Sequence, residues 1–405
     1  MVSGGSGGNA ILPCLRYFAS VSHVLPISDN GGSTSEILRV LGGPGIGDLR
    51  SRLLRLIEHD QGEVGAMKEL LNHRLDNDGI RAKTEFGEIV DGTHRLWNNI
   101  TSEKRELLRS FLVYVSAEIT KRIRPLSPFH YEQASLGNLF LTGARLFFGS
   151  LESAIYLLAS ITHIPESNQV IPVLNTNFPH HIAARLQEGT VIVGQSQISH
   201  ATDIGLAEEQ TEEDANLPGS LSTLRRKRIV YEKENAQHLP SPIKEIFYIN
   251  PYGEQIKPLV NPKVIHNIAS SQGIVYSCGS LFTSIIPCLV LEGAARAIVA
   301  SNACKILILN GSLDRETGPS FTALDFIYAI TNACQQSMKE PVVPSSVLTD
   351  IIYLIASDIQ IDTLRIESLG INVSGVARPA GSTAVYDTEE LGNVLVALIG
   401  KESRG

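Results

Sequence analysis

The sequence contains few cysteines and no residue spacing typical of a zinc site or a disulfide framework. Its 405 residues include five cysteines, with no CxxC pair and no pair of histidines at a zinc-site spacing, so we expect reduced, buried thiols. No Gly-x-Ser-x-Gly elbow, HExxH pattern or Cys-His pair is visible in the sequence. These absences argue against the hydrolase and zinc-enzyme classes.

The sequence also lacks the features of membrane, secreted and nucleic-acid-binding proteins. No apolar run approaches the roughly twenty residues needed to cross a bilayer, and the N-terminus does not resemble a signal peptide. Acidic residues outnumber basic ones, 42 to 34, for a formal charge of −8, whereas nucleic-acid binders use a basic excess to neutralise phosphates. We therefore expect a cytoplasmic protein with neither membrane nor nucleic acid as a partner, and keep a homo-oligomer as an open alternative.

Short β-branched runs that end in glycine or a small polar residue lie near helix-like stretches. This strand–turn–helix rhythm is typical of parallel α/β sheets. We therefore predict a single Rossmann-like α/β domain over residues 1–405, with a parallel sheet and helices on both faces. The predicted strands are 170–174, 190–193, 273–277, 305–309 and 350–355, and the predicted helices are 9–19, 33–41, 49–58, 281–299, 323–334 and 389–399.

Two segments depart from this rhythm. Residues 60–130 have mixed charge and short apolar repeats, and we predict a mainly helical cover there. Residues 203–243 carry an acidic cluster, then a run of basic residues and two prolines. Because such charge blocks are usually solvated, we predict a flexible surface insertion, with a docking tail as the alternative.

The first glycine-rich block runs from Gly4 to Asn9 and comes directly before an apolar stretch. Glycines let the backbone approach a phosphate closely, and the N–H groups and dipole of a following helix favour an anion. Only three residues precede the block where a strand is expected, and a flexible linker is the structural alternative. The predicted ligand-binding residues are Gly4, Gly5, Ser6, Gly7, Gly8 and Asn9.

The second block follows the apolar stretch 23–27 and begins near Asp29. A carboxylate at the end of a strand, about twenty residues beyond a phosphate loop, lies where doubly wound folds bind ribose or a metal. Asp29 is therefore the leading catalytic and metal-binding candidate, with a helix N-cap or Asx turn as the alternative. The neighbouring residues predicted to bind the ligand are Asn30, Gly31, Gly32 and Ser33.

The third block has four glycines between residues 42 and 47, immediately before a predicted helix. Asp48 lies near the positive end of that helix, and Arg50 can direct its planar fork at a phosphate or a carboxylate. Both are candidate catalytic residues. A capping aspartate with a surface arginine is the alternative, although capping does not explain the density of glycine.

The fourth block follows the predicted strand 273–277 and combines a glycine turn with a cluster of hydroxyls. It again forms an anion-binding helix N-terminus, and two such ends in one chain suggest a ligand with two anionic groups. The alternatives are an ordinary N-cap here and a simple turn after the next strand. The predicted ligand-binding residues are Gly279, Ser280, Thr283, Ser284 and Asn310.

These blocks together resemble the 2-phospho-L-lactate transferase (CofD-like) family, which also includes bacterial gluconeogenesis-factor proteins that bind UDP-sugars. The family's Gly-Asn-Leu element matches residues 137–139 and adds Asn138 to the ligand-binding set. Ser277 and Cys278 stand where the family usually has Gly-Pro, and residues 203–243 look inserted. The other matching elements are the glycine loop 4–8, the Asp-Asn-Gly-Gly-Ser turn 29–33, Gly-Asp-Leu-Arg 47–50, the Gly-Ser-Leu-Phe-Thr-Ser-Ile-Ile-Pro block 279–287 and the Arg-Glu-Thr turn 315–317.

The resemblance implies transfer of a phospholactyl-type group from a guanosine diphosphate-linked donor to the hydroxyl of a deazaflavin, aided by Mg²⁺. We therefore expect a nucleoside diphosphate-linked small molecule as the partner and Mg²⁺ as the cofactor. Glycine loops, Arg50 and a metal held by Asp29 suit such a transfer, which needs positioned anions and charge neutralisation more than a strong nucleophile. Asp29 has a second role open to it, orienting the acceptor hydroxyl.

The alternative function belongs to a different class. The same loops suit a non-catalytic regulatory protein of central carbon or cell-envelope metabolism that binds a UDP-sugar, because binding and catalytic residues overlap in such a cleft. The sequence thus leaves two interpretations, a transferase of phosphorus-containing groups and a nucleotide-sugar sensor.

Overall fold

A computed structural model describes residues 1–4, 6–58, 61–125, 127–200, 220–221, 224, 238–379 and 386–402. Most of the predicted insertion 203–243 lies outside this range. The strands are β1 (Val21–Leu25), β2 (Asn168–Pro172), β3 (His181–Leu186), β4 (Val191–Val193), β5 (Ile243–Ile249), β6 (Gln255–Ile256), β7 (Gly273–Tyr276), β8 (Cys304–Ile308), β9 (Asp350–Leu354) and β10 (Asn372–Val376).

Helices surround these strands. They are α1 (Ser6–Asn9), α2 (Gly32–Leu41), α3 (Gly47–Leu56), α4 (Gly62–Asn72), α5 (Gly79–Asp91), α6 (Ser102–Arg122), α7 (Leu136–Phe148), α8 (Leu151–Ile161), α9 (Gln195–Ser199), α10 (Pro262–Ser270), α11 (Ile286–Leu289), α12 (Ala294–Ala300), α13 (Ala323–Met338), α14 (Pro344–Val347), α15 (Thr363–Ser368) and α16 (Thr388–Glu402). None of the helices in the described ranges is long and apolar enough to span a membrane.

The main sheet is parallel, which confirms the predicted Rossmann-like α/β class. Strands β10, β9, β8 and β7 form one part, and β1 with β2 forms the other. Val2 joins the two parts, because it makes parallel bridges to Val24 of β1 and to Tyr276 of β7. Its N–H donates to the Val275 carbonyl at 2.8 Å, and its carbonyl accepts from the Ser277 N–H at 3.0 Å. The short segment before the first glycine block is therefore held between two strands.

A second sheet, with order β4-β3-β5-β6, is antiparallel and was not predicted. The apolar run 190–193 lies in this sheet as β4, so its assignment to the parallel sheet was wrong. The reason is a tight turn between β3 and β4, in which Gly189 has a φ of +99° and Leu186 donates its N–H to the Thr190 carbonyl at 2.8 Å. A turn this short brings the following strand back antiparallel.

Two predicted helices are broken. The stretch 281–299 consists of a π-helical turn over Leu281–Ile285, then α11 and α12. Pro287 lacks the N–H that a continuous helix needs, and Gly293 precedes α12 with a φ of +94°. The stretch 9–19 contains a 3₁₀ helix over Leu12–Tyr17, with Pro13 in its first turn.

Helices α4, α5 and α6 occupy the segment predicted as a helical cover. Both α4 and α6 pack against α7, and α5 packs against α6. Their apolar faces are buried, with Met67, Phe86 and Leu108 at 3% exposure or less. This packing joins the cover to the first turn of α7, where the Gly-Asn-Leu element lies.

Candidate functional site

The glycine-rich blocks meet beyond the carboxyl ends of β1, β7 and β8, where open α/β sheets bind their ligands. The first block packs directly on the fourth, since a Cβ on Gly7 would lie 2.6 Å from the Cα of Gly279. A Cβ on Gly4 would overlap the side chain of Ser284. The Cys278 thiol also donates to the Gly7 carbonyl at 3.6 Å. Glycine is thus required at positions 4 and 7 by close packing between the two blocks.

A buried arginine supports the first block from the protein interior. Arg52 of α3 is fully buried, and its Nε donates to Asn9 Oδ1 at 2.9 Å. Its Nη2 donates to Ser3 Oγ at 3.1 Å and to the Gly4 carbonyl at 3.3 Å. Burial lowers the pKa of Arg52 to about 10. Asn9 completes the brace by donating to Ser51 Oγ at 3.0 Å, so its amide is engaged within the protein.

The remaining residues of the first block are Gly5, Ser6 and Gly8. Gly5 and the side chain of Ser6 lie outside the described residues. A Cβ on Gly8 would lie 2.8 Å from Arg52 Nη2 and 2.9 Å from Ser3 Cβ. Gly8 is therefore packed closely against the Arg52 guanidinium and Ser3.

Asp29 follows β1 and is held by the turn that leads into α2. Its Oδ1 accepts from the Gly31 N–H at 3.1 Å, and its Oδ2 accepts from Thr34 Oγ1 at 2.9 Å. Burial raises the pKa of Asp29, while these two hydrogen bonds and then the charge of Arg50 oppose the rise. The carboxylate lies directly against Gly47, where a Cβ would overlap Oδ2. The Asp29 turn and the start of α3 thus form one corner, and Asp48 is the next residue of α3. The charge of Asp48 acts on Arg50 and Arg52.

Arg50 and Asn138 bring buried polar atoms to the same corner without satisfying all of them. Arg50 is 8% exposed, and its Nη1 donates to Asn72 Oδ1 at a long 3.4 Å. Asn138 is 2% exposed and donates to Ser33 Oγ at 2.9 Å. Within the described residues, the buried Arg50 Nε and Asn138 Oδ1 have no hydrogen-bond partner. Buried polar atoms are rarely left unpaired, so these two mark a place for a polar ligand.

Asn30 links the Asp29 turn to α9. Its Oδ1 accepts from the Ser196 N–H at 2.9 Å and from Ser196 Oγ at 2.7 Å. Gly31 caps α2 in an extended conformation, and Gly32 begins that helix with a φ of +50°. The Asn30 side chain therefore anchors a neighbouring helix within the cleft wall.

The carboxylate of Glu316 contacts the backbone of the fourth block. Its Oε2 accepts from the N–H groups of Phe282 and Thr283 at 3.0 and 3.1 Å. Its Oε1 accepts from Thr283 Oγ1 at 2.6 Å and from Ser199 Oγ of α9 at 2.5 Å. Burial and then the charge of Asp314 raise the pKa of Glu316 to about 7. The donors of Thr283, which sequence reasoning assigned to a ligand anion, thus hold a carboxylate of the chain itself.

Two other predicted residues of this region also make contacts within the chain. Asn310 follows β8, and its Oδ1 accepts from the Gly279 N–H at 2.7 Å. Ser280 accepts through its carbonyl from the Ser284 N–H at 3.0 Å. Gly279 has a φ of +135°, a conformation that other residues adopt with strain. Asn310 therefore fixes the glycine turn from the neighbouring strand.

The comparison with known families agrees with this arrangement. A family model described as 2-phospho-L-lactate transferase CofD matches residues 1–376, which include every glycine-rich block. The chain belongs to the CofD family. The resemblance predicted from the motifs is thereby confirmed.

Relatives of this CofD-family chain include proteins from yeast and bacteria. An uncharacterized protein of Saccharomyces cerevisiae, YNL011C, is 38% identical over 441 residues, and the match covers 97% of each chain. A gluconeogenesis factor of Halalkalibacterium halodurans is 23% identical over 332 residues, covering 82% of this chain and 72% of that protein. The crystal structure of a UPF0052-family member from Bacillus halodurans has a TM-score of 0.64 at 20% identity, with 98% of each chain covered. The bacterial structure therefore has the same fold.

Sequence reasoning did not single out Arg52 or Glu316 as part of the CofD-family site. Arg52 follows the Gly-Asp-Leu-Arg element by two residues, so its signal was a second arginine on the same helix. Glu316 was visible in the Arg-Glu-Thr turn, but its contacts reach Ser199, far along the chain. Both residues hold the glycine-rich loops through hydrogen bonds from the protein interior.

Proposed function

We propose that this CofD-family chain binds a nucleoside diphosphate-linked small molecule in the cleft between its glycine-rich blocks. The proposed reaction is transfer of a phospholactyl-type group from that donor to a hydroxyl acceptor. The observation that carries the proposal is the pair of unpartnered buried atoms, Arg50 Nε and Asn138 Oδ1, beside the Asp29 turn. An anionic ligand with a polar neighbour satisfies both atoms.

The chemistry of the donor set fits Mg²⁺. Magnesium typically binds through one or two carboxylates together with substrate phosphates. Asp29, whose carboxylate lies against Gly47, would supply one of them, and Asp48 in the first turn of α3 is the candidate for a second. Within the described ranges, no group of three or more His, Cys, Asp or Glu side chains forms a self-sufficient metal site. A hard cation here therefore needs the oxygens of a bound diphosphate. When bound, Mg²⁺ supplies charge neutralisation for the transferred phosphoryl group.

The chain's own residues would position the donor and stabilise its charge. Arg50 is buried against α7, where its guanidinium pairs more strongly with an anion than it would in water. The Gly4–Gly8 block lets the diphosphate approach backbone N–H groups. Asp29, whose pKa is raised by burial, is placed either to hold the cation or to accept a proton from the acceptor hydroxyl. Transfer of this kind depends mainly on such positioning and charge stabilisation.

The alternative is regulatory binding of a UDP-sugar without turnover. One observation favours it: Glu316 uses the backbone N–H groups of Phe282 and Thr283. These donors are then unavailable to stabilise charge that develops in a transition state. The bacterial relatives named gluconeogenesis factor are consistent with a role outside catalysis.

Calorimetry on the wild type and Asp29→Asn tests the proposal. The ligands are GDP and UDP against guanosine and uridine, each with and without Mg²⁺. We expect the diphosphates to bind more tightly than the nucleosides, and Mg²⁺ to strengthen diphosphate binding in the wild type only. Asparagine keeps the size of Asp29 and an acceptor for the Gly31 N–H, and its NH2 group can donate to Thr34 Oγ1, so thermal stability should change less than if the Thr34 contact were lost. Equal affinity for nucleosides and diphosphates would contradict a phosphate-binding cleft, and equal Mg²⁺ dependence in both proteins would make Asp29 structural.

A turnover assay separates the two functions. The full chain is incubated with a guanosine diphosphate-linked phospholactyl donor, a deazaflavin acceptor and Mg²⁺, and products are followed by mass spectrometry. Formation of GDP together with the phospholactyl acceptor supports the transferase. Tight nucleotide binding with no product supports the regulatory alternative.

A further inference from the structure

The helical cover places one arginine, Arg74, beside the segment that leads into α7. After α4, the chain runs antiparallel to the segment that leads into α7, and Arg74 forms a bridge with Ser135. Leu75 donates its N–H to the Ala134 carbonyl at 3.0 Å, and Leu136 donates to the His73 carbonyl at 3.0 Å. This short ladder fixes the backbone of Arg74 beside the first turn of α7.

The side chain of Arg74 is held by a strained residue. Its Nη1 donates to the Gln133 carbonyl at 3.1 Å, and Gln133 has a φ of +57°, unusual for a residue other than glycine. Gln133 is fixed in turn, because its N–H donates to the Asp76 carbonyl at 3.1 Å and its Nε2 donates to the Leu75 carbonyl at 3.3 Å. Strain of this kind persists where the surroundings enforce it and is often found at ligand sites.

Arg50 reaches the same turn of α7 from α3. A Cβ on Gly137, two residues beyond Ser135, would lie 2.8 Å from Arg50 Cδ and would overlap the Leu71 carbonyl. The two arginines interact: after burial, the charge of Arg74 is the main cause that lowers the pKa of Arg50, to about 10. Both guanidinium groups also oppose the rise in the pKa of Asp29.

Neither arginine has a carboxylate in direct contact within the described part of the chain, although the charge of Asp29 acts on both of them and that of Asp48 acts on Arg50. No carboxylate there forms an ion pair with Arg50 or Arg74, and Arg50 Nε has no hydrogen-bond partner. Two neighbouring cations, one of them buried, repel each other, and carboxylates that do not contact them compensate this repulsion less well than an anion bound directly between them. Arg74 has one hydrogen bond through Nη1, which leaves the rest of its planar fork for oxygen atoms of an anion.

We infer that Arg74 and Arg50 form the two arms of an anion clamp that holds the diphosphate group of the ligand. The helical cover then takes part in ligand binding, because it supplies Arg74, one of the two cations of the clamp. A diphosphate alone can bind both guanidinium groups. The inference therefore rests on the proposed function only where it says that the diphosphate belongs to a nucleoside-linked ligand.

The test uses the full chain and isothermal titration calorimetry with three probes: inorganic pyrophosphate, GDP and guanosine. The variants are Arg74→Ala and, as a matched control, Arg81→Ala, which removes an exposed arginine from α5 of the same cover. We expect Arg74→Ala to weaken pyrophosphate and GDP binding about tenfold or more, as for loss of a charged hydrogen bond. Arg81→Ala should change both affinities less than about twofold, because exposed charges at a distance are screened. Guanosine binding should be the same in all proteins.

The outcomes separate the clamp from the proposed function. If Arg74→Ala binds pyrophosphate and GDP like Arg81→Ala, the clamp is wrong while nucleotide binding by the wild type still supports the proposed function. If pyrophosphate binding depends on Arg74 but GDP binds no better than pyrophosphate, the clamp holds and the nucleotide proposal fails. If the folded wild type binds neither probe, both fail. Arg74→Gln replaces Arg74→Ala if thermal melting shows that the alanine variant is not folded.

Discussion

Gly47→Ala tests the corner where the Asp29 carboxylate lies against the first residue of α3. A Cβ at position 47 would overlap Asp29 Oδ2 and lie 2.9 Å from Thr34 Oγ1. The start of the helix is held in place, since the preceding Ile46 is 1% exposed and packed in the core. We therefore expect the Asp29 carboxylate to move by about 1 Å, the change needed to restore van der Waals contact, and to lose its hydrogen bond from Thr34.

The cost follows from the two groups involved. Loss of a hydrogen bond to a charged group costs about 1.5–3 kcal/mol. Alanine in place of glycine returns up to about 1 kcal/mol through helix propensity. The net loss in the free energy of unfolding is then about 0.5–3 kcal/mol. Because the carboxylate is displaced, the Mg²⁺ dependence of diphosphate binding should also be weakened.

Urea unfolding and calorimetry with GDP and Mg²⁺ measure both effects, and Gly87→Ala is the matched control. Gly87 lies in the middle of α5, and a Cβ there would meet no atom within 4 Å. Gly87→Ala should stabilise the protein by about 0.5–1 kcal/mol and leave ligand binding unchanged. A Gly47→Ala protein that is stabilised to the same degree and keeps its Mg²⁺ dependence would refute the placement of Asp29 in the binding corner.

Two further predictions concern the fourth block. Gly279→Val should lower GDP affinity in calorimetry more than Gly279→Ala. Both substitutions strain the backbone at its φ of +135°, but only valine presses its Cγ atoms on Gly7 and Gly8. Equal affinities of the two variants would show that backbone strain alone lowers GDP binding. The pKa of Glu316 is raised by burial to about 7, so the folded state binds the proton more tightly than the unfolded state, and stability should fall as the pH rises from about 4.5 to 7. The melting temperature of the wild type should therefore fall relative to that of Glu316→Gln as the pH rises over that range. A difference that does not change with pH would contradict the raised pKa of Glu316.

The parallel sheet and the order of its glycine-rich turns could be predicted from the sequence because both are local. Runs such as 273–277 and 305–309 combine β-branched residues with a turn, and each became a parallel strand. The hairpin at Gly189 and the break at residues 290–293 were missed for different reasons. The first depends on the turn conformation, and the second was obscured by a continuous apolar run.

The contacts within the cleft could not be predicted from the sequence. Asn30 and Thr283 were identified as polar residues in glycine-rich turns, and the structure places both against other side chains, Ser196 and Glu316. A sequence motif shows which residues belong to a turn but not which of their hydrogen-bonding groups are already used. The assignments of the individual site residues stay predictions, to be decided by the variants described above.

The position of Val2 has a consequence for how the chain folds. The two parts of the main sheet are joined by a residue near the start of the chain, which bridges to Tyr276 only after most of the sequence is in place. Contacts between such distant residues form slowly, because a very long loop must be closed before they contribute. During synthesis on the ribosome, the first glycine block would thus remain incomplete until β7 emerges. We expect the cleft to be among the last parts of the protein to form.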